Sequence, residues 1–129
     1  MSDFTLLVKS SPYTTNNHQT ALDFAHALIR AGHRLCRVFF YQDAVFVALN
    51  SQQPVQGQET VCGQWQSLAQ QTGTELQVCI ANALRRGIAD TREQQRYNLP
   101  AATLASGFVL TGLGEMADAC HDSQHIVEF

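Results

Sequence analysis

Apolar positions fall along the chain in short blocks whose spacing alternates between that of a strand and that of a helix. Phe4-Thr5-Leu6-Leu7-Val8 is a nearly continuous apolar run closed by Ser10-Ser11-Pro12-Tyr13, the turn chemistry that ends a buried strand. After a polar stretch, Ala21, Leu22, Ala25, Leu28 and Ile29 recur at helical spacing. Asn16 or Asn17 stands ready to cap that helix, and Gly32 to stop it. Leu35 to Tyr41, rich in aromatic and branched residues, reads as a second strand. Ala44 to Leu49 is apolar but of open type, and Ser51 to Gln58, with Pro54 and Gly57, reads as a surface loop.

The second half repeats the alternation. Val61, Trp65, Leu68 and Thr72 form the inward stripe of a helix from about residue 59 to 72, closed by Gly73. Leu76 to Cys79 is a third strand, and Ile80 to Arg86 a short helix stopped by Gly87. Asp90-x-x-Glu93 has the form of a helix cap whose third residue reaches back to the cap. Phe108 to Leu110 is a fourth strand, Gly112 to Cys120 a helix and His125 to Phe129 a fifth strand. Parallel neighbours require crossovers, and the crossovers here are helical. The fold class is therefore α/β, a single three-layer domain over 1–129 with a five-stranded, mainly parallel sheet flanked by helices.

Composition narrows the function classes. Charged residues make up 15% of the chain, the net charge is -3, and the eight Lys and Arg are scattered. Nothing there holds a phosphate backbone, so direct nucleic-acid binding is not expected. A surface so poor in charge suits partial cover by other subunits. The first residues lead into a strand with no basic segment or long apolar segment before it, and no apolar run reaches bilayer length, so the expected compartment is the cytoplasm.

In an open parallel sheet, reactive groups collect beyond the carboxyl ends of the strands. Ser10 to Tyr13, Tyr41 to Asp43 and Cys79 to Asn82 occupy those places, and Cys79 is the strong nucleophile among them. Backbone N–H groups at the start of the next helix would favour its thiolate, and Arg85 and Arg86 add more distant positive charge. Position alone favours packing over function, because free cysteine is among the most buried residue types. Cys36 within a strand and Cys62 beside the Trp65 stripe read as structural, and Cys120, on a face with Leu113, Met116 and Ala117, reads as core.

Other chemistries find less support. His18, His26, His33, His121 and His125 read as solvated, with no evident partner for Cys79. His121-x-x-x-His125 would be a metal spacing only on a helix, which the following strand argues against. Asp43 reads as a helix cap. No glycine-rich phosphate loop follows the first strand, and Gly112-Leu113-Gly114 lacks the rest of a dinucleotide fingerprint. No metal and no cofactor is expected.

Three blocks in order carry a resemblance. Ala31-Gly32-His33 leads into Val38-Phe39-Phe40-Tyr41. Cys79-Ile80-Ala81-Asn82-Ala83-Leu84-Arg85-Arg86-Gly87 follows, and then Gly107-Phe108-Val109-Leu110-Thr111-Gly112-Leu113-Gly114. Together, nearly end to end, they resemble the DsrE/TusD family of sulfur-relay proteins. The resemblance implies a sulfurtransferase whose carrier cysteine falls on Cys79. It further implies a heterohexamer with TusB-like and TusC-like sister subunits, a TusA-like sulfur donor and a TusE-like acceptor, serving 2-thiouridine formation at the tRNA wobble position. The ending Ile126-Val127-Glu128-Phe129 is similar to that of the TusD branch, which favours tRNA thiolation over the dissimilatory sulfur oxidation of DsrE-like members. The family's alternatives also include a non-catalytic assembly subunit. The chain departs from the family at Ala44, where glycine is frequent, and at Ser10-Ser11, where a glycine often precedes the proline.

Overall fold

The computed structural model describes residues 1–129. Five strands, β1 (Asp3–Val8), β2 (Arg34–Phe40), β3 (Glu75–Cys79), β4 (Phe108–Thr111) and β5 (His125–Glu128), form one sheet in the order β4-β3-β2-β1-β5, every neighbouring pair parallel. The helices are α1 (Asn17–Arg30), α2 (Val61–Thr72), α3 (Ile80–Leu84), α4 (Thr91–Arg96) and α5 (Leu113–Asp122). The open-type segment is a 3-10 helix over Gln42–Ala48, with Ala44, Val45, Val47 and Ala48 fully buried. A continuously apolar run accounts for that burial, but pattern alone does not select its helix type.

The chain steps from β1 to β4 in one direction across the sheet, then returns past β1 to β5. Right-handed crossovers therefore place α5 on the face opposite α1 and α2. Strand alternation agrees. Leu6, Val8, Val38, Phe40, Leu76 and Val78 enter the main core with Leu22, Leu28, Trp65 and Leu68. Thr5, Phe39, Gln77 and Cys79 are equally buried but lie outside that cluster, on the α5 side. On that side the Thr5 and Ser123 hydroxyls meet at 2.6 Å, and Arg37 Nη2 lies 3.9 Å from Asp122 Oδ2.

Local caps follow the sequence in part: Asn16 stands at the start of α1 without a side-chain capping bond. Thr60 accepts from Gly63 N at the start of α2, and Gly73 closes that helix at φ +73, a left-handed conformation that glycine adopts without a Cβ penalty. Asp90 caps α4 through Glu93 N at 2.8 Å. The expected return of the Glu93 side chain to the cap is not made. Glu93 is buried, its Oε1 lies 3.8 Å from Arg96 Nη1, and its Oε2 has no partner. Thr72, read as inward, is exposed and turns its hydroxyl to the Leu68 carbonyl at 2.7 Å. No helix is long and apolar enough to cross a membrane.

Candidate functional site

Cys79 is the last residue of β3 and the N-cap of α3. Its neighbour Val78 points into the main core, so the Cys79 side chain projects to the α5 side, where it is 2% exposed. Thr111, the last residue of β4, stands in register beside it. The rings of Phe39 on β2 and of Tyr41 just after it, 6.4 Å apart, lie on one face. The helix after Cys79 spans five residues, so the positive helix end expected there is little more than one turn long.

A clamp fixes α3 to the turn after β2. Gln42 N donates to Asn82 Oδ1 at 2.8 Å, Arg86 Nε donates to Asp43 Oδ1 at 2.9 Å, and Arg86 Nη1 donates to the Asn82 carbonyl at 3.1 Å. These bonds hold Gln42 at φ +52, a left-handed conformation that side chains rarely adopt. Asp43, read as a helix cap, is instead the ion-pair partner of Arg86. The 3-10 helix has Tyr41 at its cap and no side-chain capping bond. Arg86 is thereby committed to the clamp, while Arg85 remains exposed.

Three buried side-chain oxygens have no hydrogen-bond partner: Gln77 Oε1, Thr111 Oγ1 and Glu93 Oε2. Folded proteins leave few such groups. Gln77 lies two residues before Cys79 on the same face of β3, and Thr111 lies beside Cys79 on β4. Glu93 lines a groove of about 610 Å³ between α3 and α4, whose other walls include Ile80, Ala81, Leu84 and Tyr97. Cys79 does not line the groove, but the two residues that follow it do. The Arg96 guanidinium sits 5.3 Å from the centre of the Tyr97 ring at the groove's edge. Strand alternation alone puts Gln77 on the face of Cys79. Thr111 needed the β3–β4 register, which no single segment encodes.

The other cysteines are all free thiols. Cys62 is buried at the start of α2, where burial pushes its thiol up. Cys36 is half-buried in β2. Cys120, read as core, is exposed and donates to the Met116 carbonyl at 3.5 Å. The helix α5 is turned so that Ala119 faces the sheet, leaving Leu113 56% exposed.

His18 is also corrected: it is 1% exposed rather than solvated. Trp65 Nε1 donates to its Nδ1 at 3.2 Å, and its Nε2 donates to the Ser10 carbonyl at 2.8 Å, which fixes the neutral tautomer. The ring therefore ties the turn after β1 to α2. His26 is exposed as read, and His33 is half-buried, its Nδ1 accepting from Ser2 N at 3.1 Å. His121 lies in the last turn of α5 and His125 begins β5, so the two do not share a helix face.

Burial holds the His18 pKa below its usual 6.5. The unfolded chain thus takes up a proton that the folded chain resists. The stability from neutral His18 is complete above about pH 6.5 and falls as pH drops below it, by at most about 1.4 kcal/mol per pH unit. Urea unfolding at pH 7.5 and 5.5 should show this loss in the wild type, and His18→Gln should show a smaller one. An equal pH dependence in both would remove His18 as the cause.

Comparison with known proteins places this geometry among relatives. The model of the DsrE/DsrF-like family matches residues 2–129. A protein of Serratia proteamaculans named sulfurtransferase TusD is 43% identical over 129 residues, covering all of both chains. A protein of the same name from Salmonella newport is 40% identical over 126 residues, covering 98% of each. The crystal structure of the ychN protein from E. coli superposes over the whole of both chains with a TM-score of 0.78 at 20% identity, a likeness of fold.

Proposed function

The chain belongs to the DsrE/DsrF-like family, and from that premise we propose that it is a sulfurtransferase of a sulfur relay in which Cys79 carries one sulfur atom as a persulfide. The sulfurtransferase role rests on full-length relatives at 40–43% identity that bear that name. The observation that carries the residue assignment is the placement of Cys79. Alone among the four cysteines it ends a parallel strand, where an open sheet presents its reactive groups.

The chemistry is thiol exchange at sulfur. The Cys79 thiolate attacks the outer sulfur of a donor persulfide, a bond forms between the two sulfurs, and the donor cysteine leaves as a thiolate. A TusA-like protein is the donor and a TusE-like protein the acceptor, in the cytoplasm, on the route to 2-thiouridine at the tRNA wobble position. TusB-like and TusC-like sister subunits complete a heterohexamer. The exposed Val109, Leu113 and Ile126, on the α5 side and at both sheet edges, support such cover.

The burial of Cys79 favours a second reading, a non-catalytic assembly subunit in which the cysteine only packs. Intact mass after incubation with a persulfidated donor separates the two. Wild type should gain the mass of one sulfur atom on Cys79, and Cys79→Ser should gain none there. Equal loading of both proteins would sink the carrier assignment.

A further inference from the structure

We propose that the Thr111 hydroxyl is a catalytic hydrogen-bond donor to the Cys79 sulfur, stabilising it as the leaving thiolate when its cargo is handed on. This inference rests on Cys79 being the carrier. Cys79 and Thr111 are register partners on adjacent parallel strands, and such strands lie about 4.8 Å apart, so their side chains are lateral neighbours on one face. The Thr111 oxygen is buried within a residue that is itself half-buried, and in the resting protein it meets no partner, the Cys79 sulfur included. A threonine hydroxyl rotates freely, so one without a protein partner can turn its O–H to a charge that arrives beside it. The neighbouring Gln77 amide is drawn the other way, its Nε2 donating to Glu75 Oε1 at 3.0 Å toward the start of β3. Thr111 thus holds an unspent donor beside the sulfur.

The step needs such a donor at one moment. An acceptor thiolate attacks the outer sulfur of the Cys79 persulfide. A new sulfur–sulfur bond forms to the acceptor, the bond from the outer sulfur to Cys79 Sγ breaks, and its electron pair stays on Sγ. The proton of the outer sulfur travels with it, and no net oxidation or reduction occurs. The charge that arrives on Sγ does so where the side chain is 2% exposed and water is scarce. A fixed protein donor then does what solvent does elsewhere. Thr111 gives up no proton; it only directs the O–H at Sγ.

Single-turnover discharge tests this. On a Cys36→Ser, Cys62→Ser, Cys120→Ser background, which leaves Cys79 as the sole thiol, the protein is loaded with inorganic polysulfide, freed of excess and discharged with cyanide, and thiocyanate is followed. Cyanide takes the outer sulfur and leaves the same Cys79 thiolate. Thr111→Val should load as wild type does and discharge about tenfold more slowly or worse, the scale of a lost hydrogen bond to a charged group. Thr111→Ser should stay within about threefold of wild type. The unfolding midpoint of Thr111→Val should be no lower than that of wild type, since the substitution removes an unsatisfied hydroxyl. A wild-type discharge rate in Thr111→Val, or equal slowing in Thr111→Ser, overturns the assignment. Wild-type loading of Cys79→Ser on the same background would overturn the carrier reading itself, an outcome that no Thr111 variant produces.

Discussion

On the proposed relay role, cells whose only copy of this protein carries Cys79→Ser should lose 2-thiouridine from their tRNA to the level of a deletion strain, while the protein still accumulates and still co-purifies with the proposed sister subunits. The substitution replaces one sulfur by oxygen at a side chain that makes no hydrogen bond and packs outside the main core, so its structural cost is small. The chemical cost is total, because a serine hydroxyl neither attacks a persulfide at neutral pH nor holds a second sulfur. Mass spectrometry of digested tRNA reads the first effect, and co-purification reads the second. Retained thiolation in the Cys79→Ser strain would favour the assembly-subunit reading. Loss of both thiolation and assembly would show that the residue acts through structure.

Trp65→Ala should be the most destabilising single truncation, costing about 3–5 kcal/mol. Trp65 is fully buried and is the largest side chain of the core. It packs edge-on to Phe40 at 5.3 Å, and its Nε1 satisfies His18. Truncation opens a cavity between α2 and the sheet and also strands the Nδ1 acceptor of a buried imidazole, so two penalties add. For a domain of this size the loss corresponds to a fall in melting temperature of roughly 10–25 °C. Trp65→Phe should recover the larger part, since it refills volume but not the hydrogen bond. Thermal unfolding of the three proteins gives the comparison. A Trp65→Ala midpoint within a few degrees of wild type would mean that the neighbourhood collapses to fill the space.

Elements whose signals are local were legible before any coordinates. The alternation of branched runs with 3.6-residue stripes marks the five strands and helices α1, α2 and α5, because burial on one face imposes those periods regardless of the partner, while α4 is marked only by its cap and the 3-10 helix by neither. Gly73 and Asp90 marked helix ends for the same reason, their effect being confined to a turn. Partnerships across the chain were not legible. His18 lies in a polar stretch, and its burial depends on Trp65, 47 residues away. Asp43 finds Arg86 at a separation of 43 residues.

Cys120 fails for a different reason. With apolar or small residues at Leu113, Met116, Ala117, Ala119 and Cys120, the short α5 offers two nearly equal faces, and only the sheet beneath it selects Ala119. Of the site, the strand-end cysteine could be read from pattern. Its idle hydroxyl neighbour could not, because the β3–β4 register is set by the whole sheet.

The strand order has a consequence for how the molecule is made. β1 sits between β2 and β5, yet β5 pairs with it across almost the whole chain; the bond from Asp3 N to Gln124 Oε1 beside that pairing spans 121 residues. At ribosomal speeds of about 5–20 residues per second, β1 is out for many seconds before its second neighbour exists. One flank of a strand that ends up interior is an open edge throughout that time, offering free N–H and carbonyl groups to any other nascent chain. Contacts of such long range also slow the final docking after release. Growth of the sheet from β1 to β4 can proceed in order of synthesis, while its completion has to wait for the last strand.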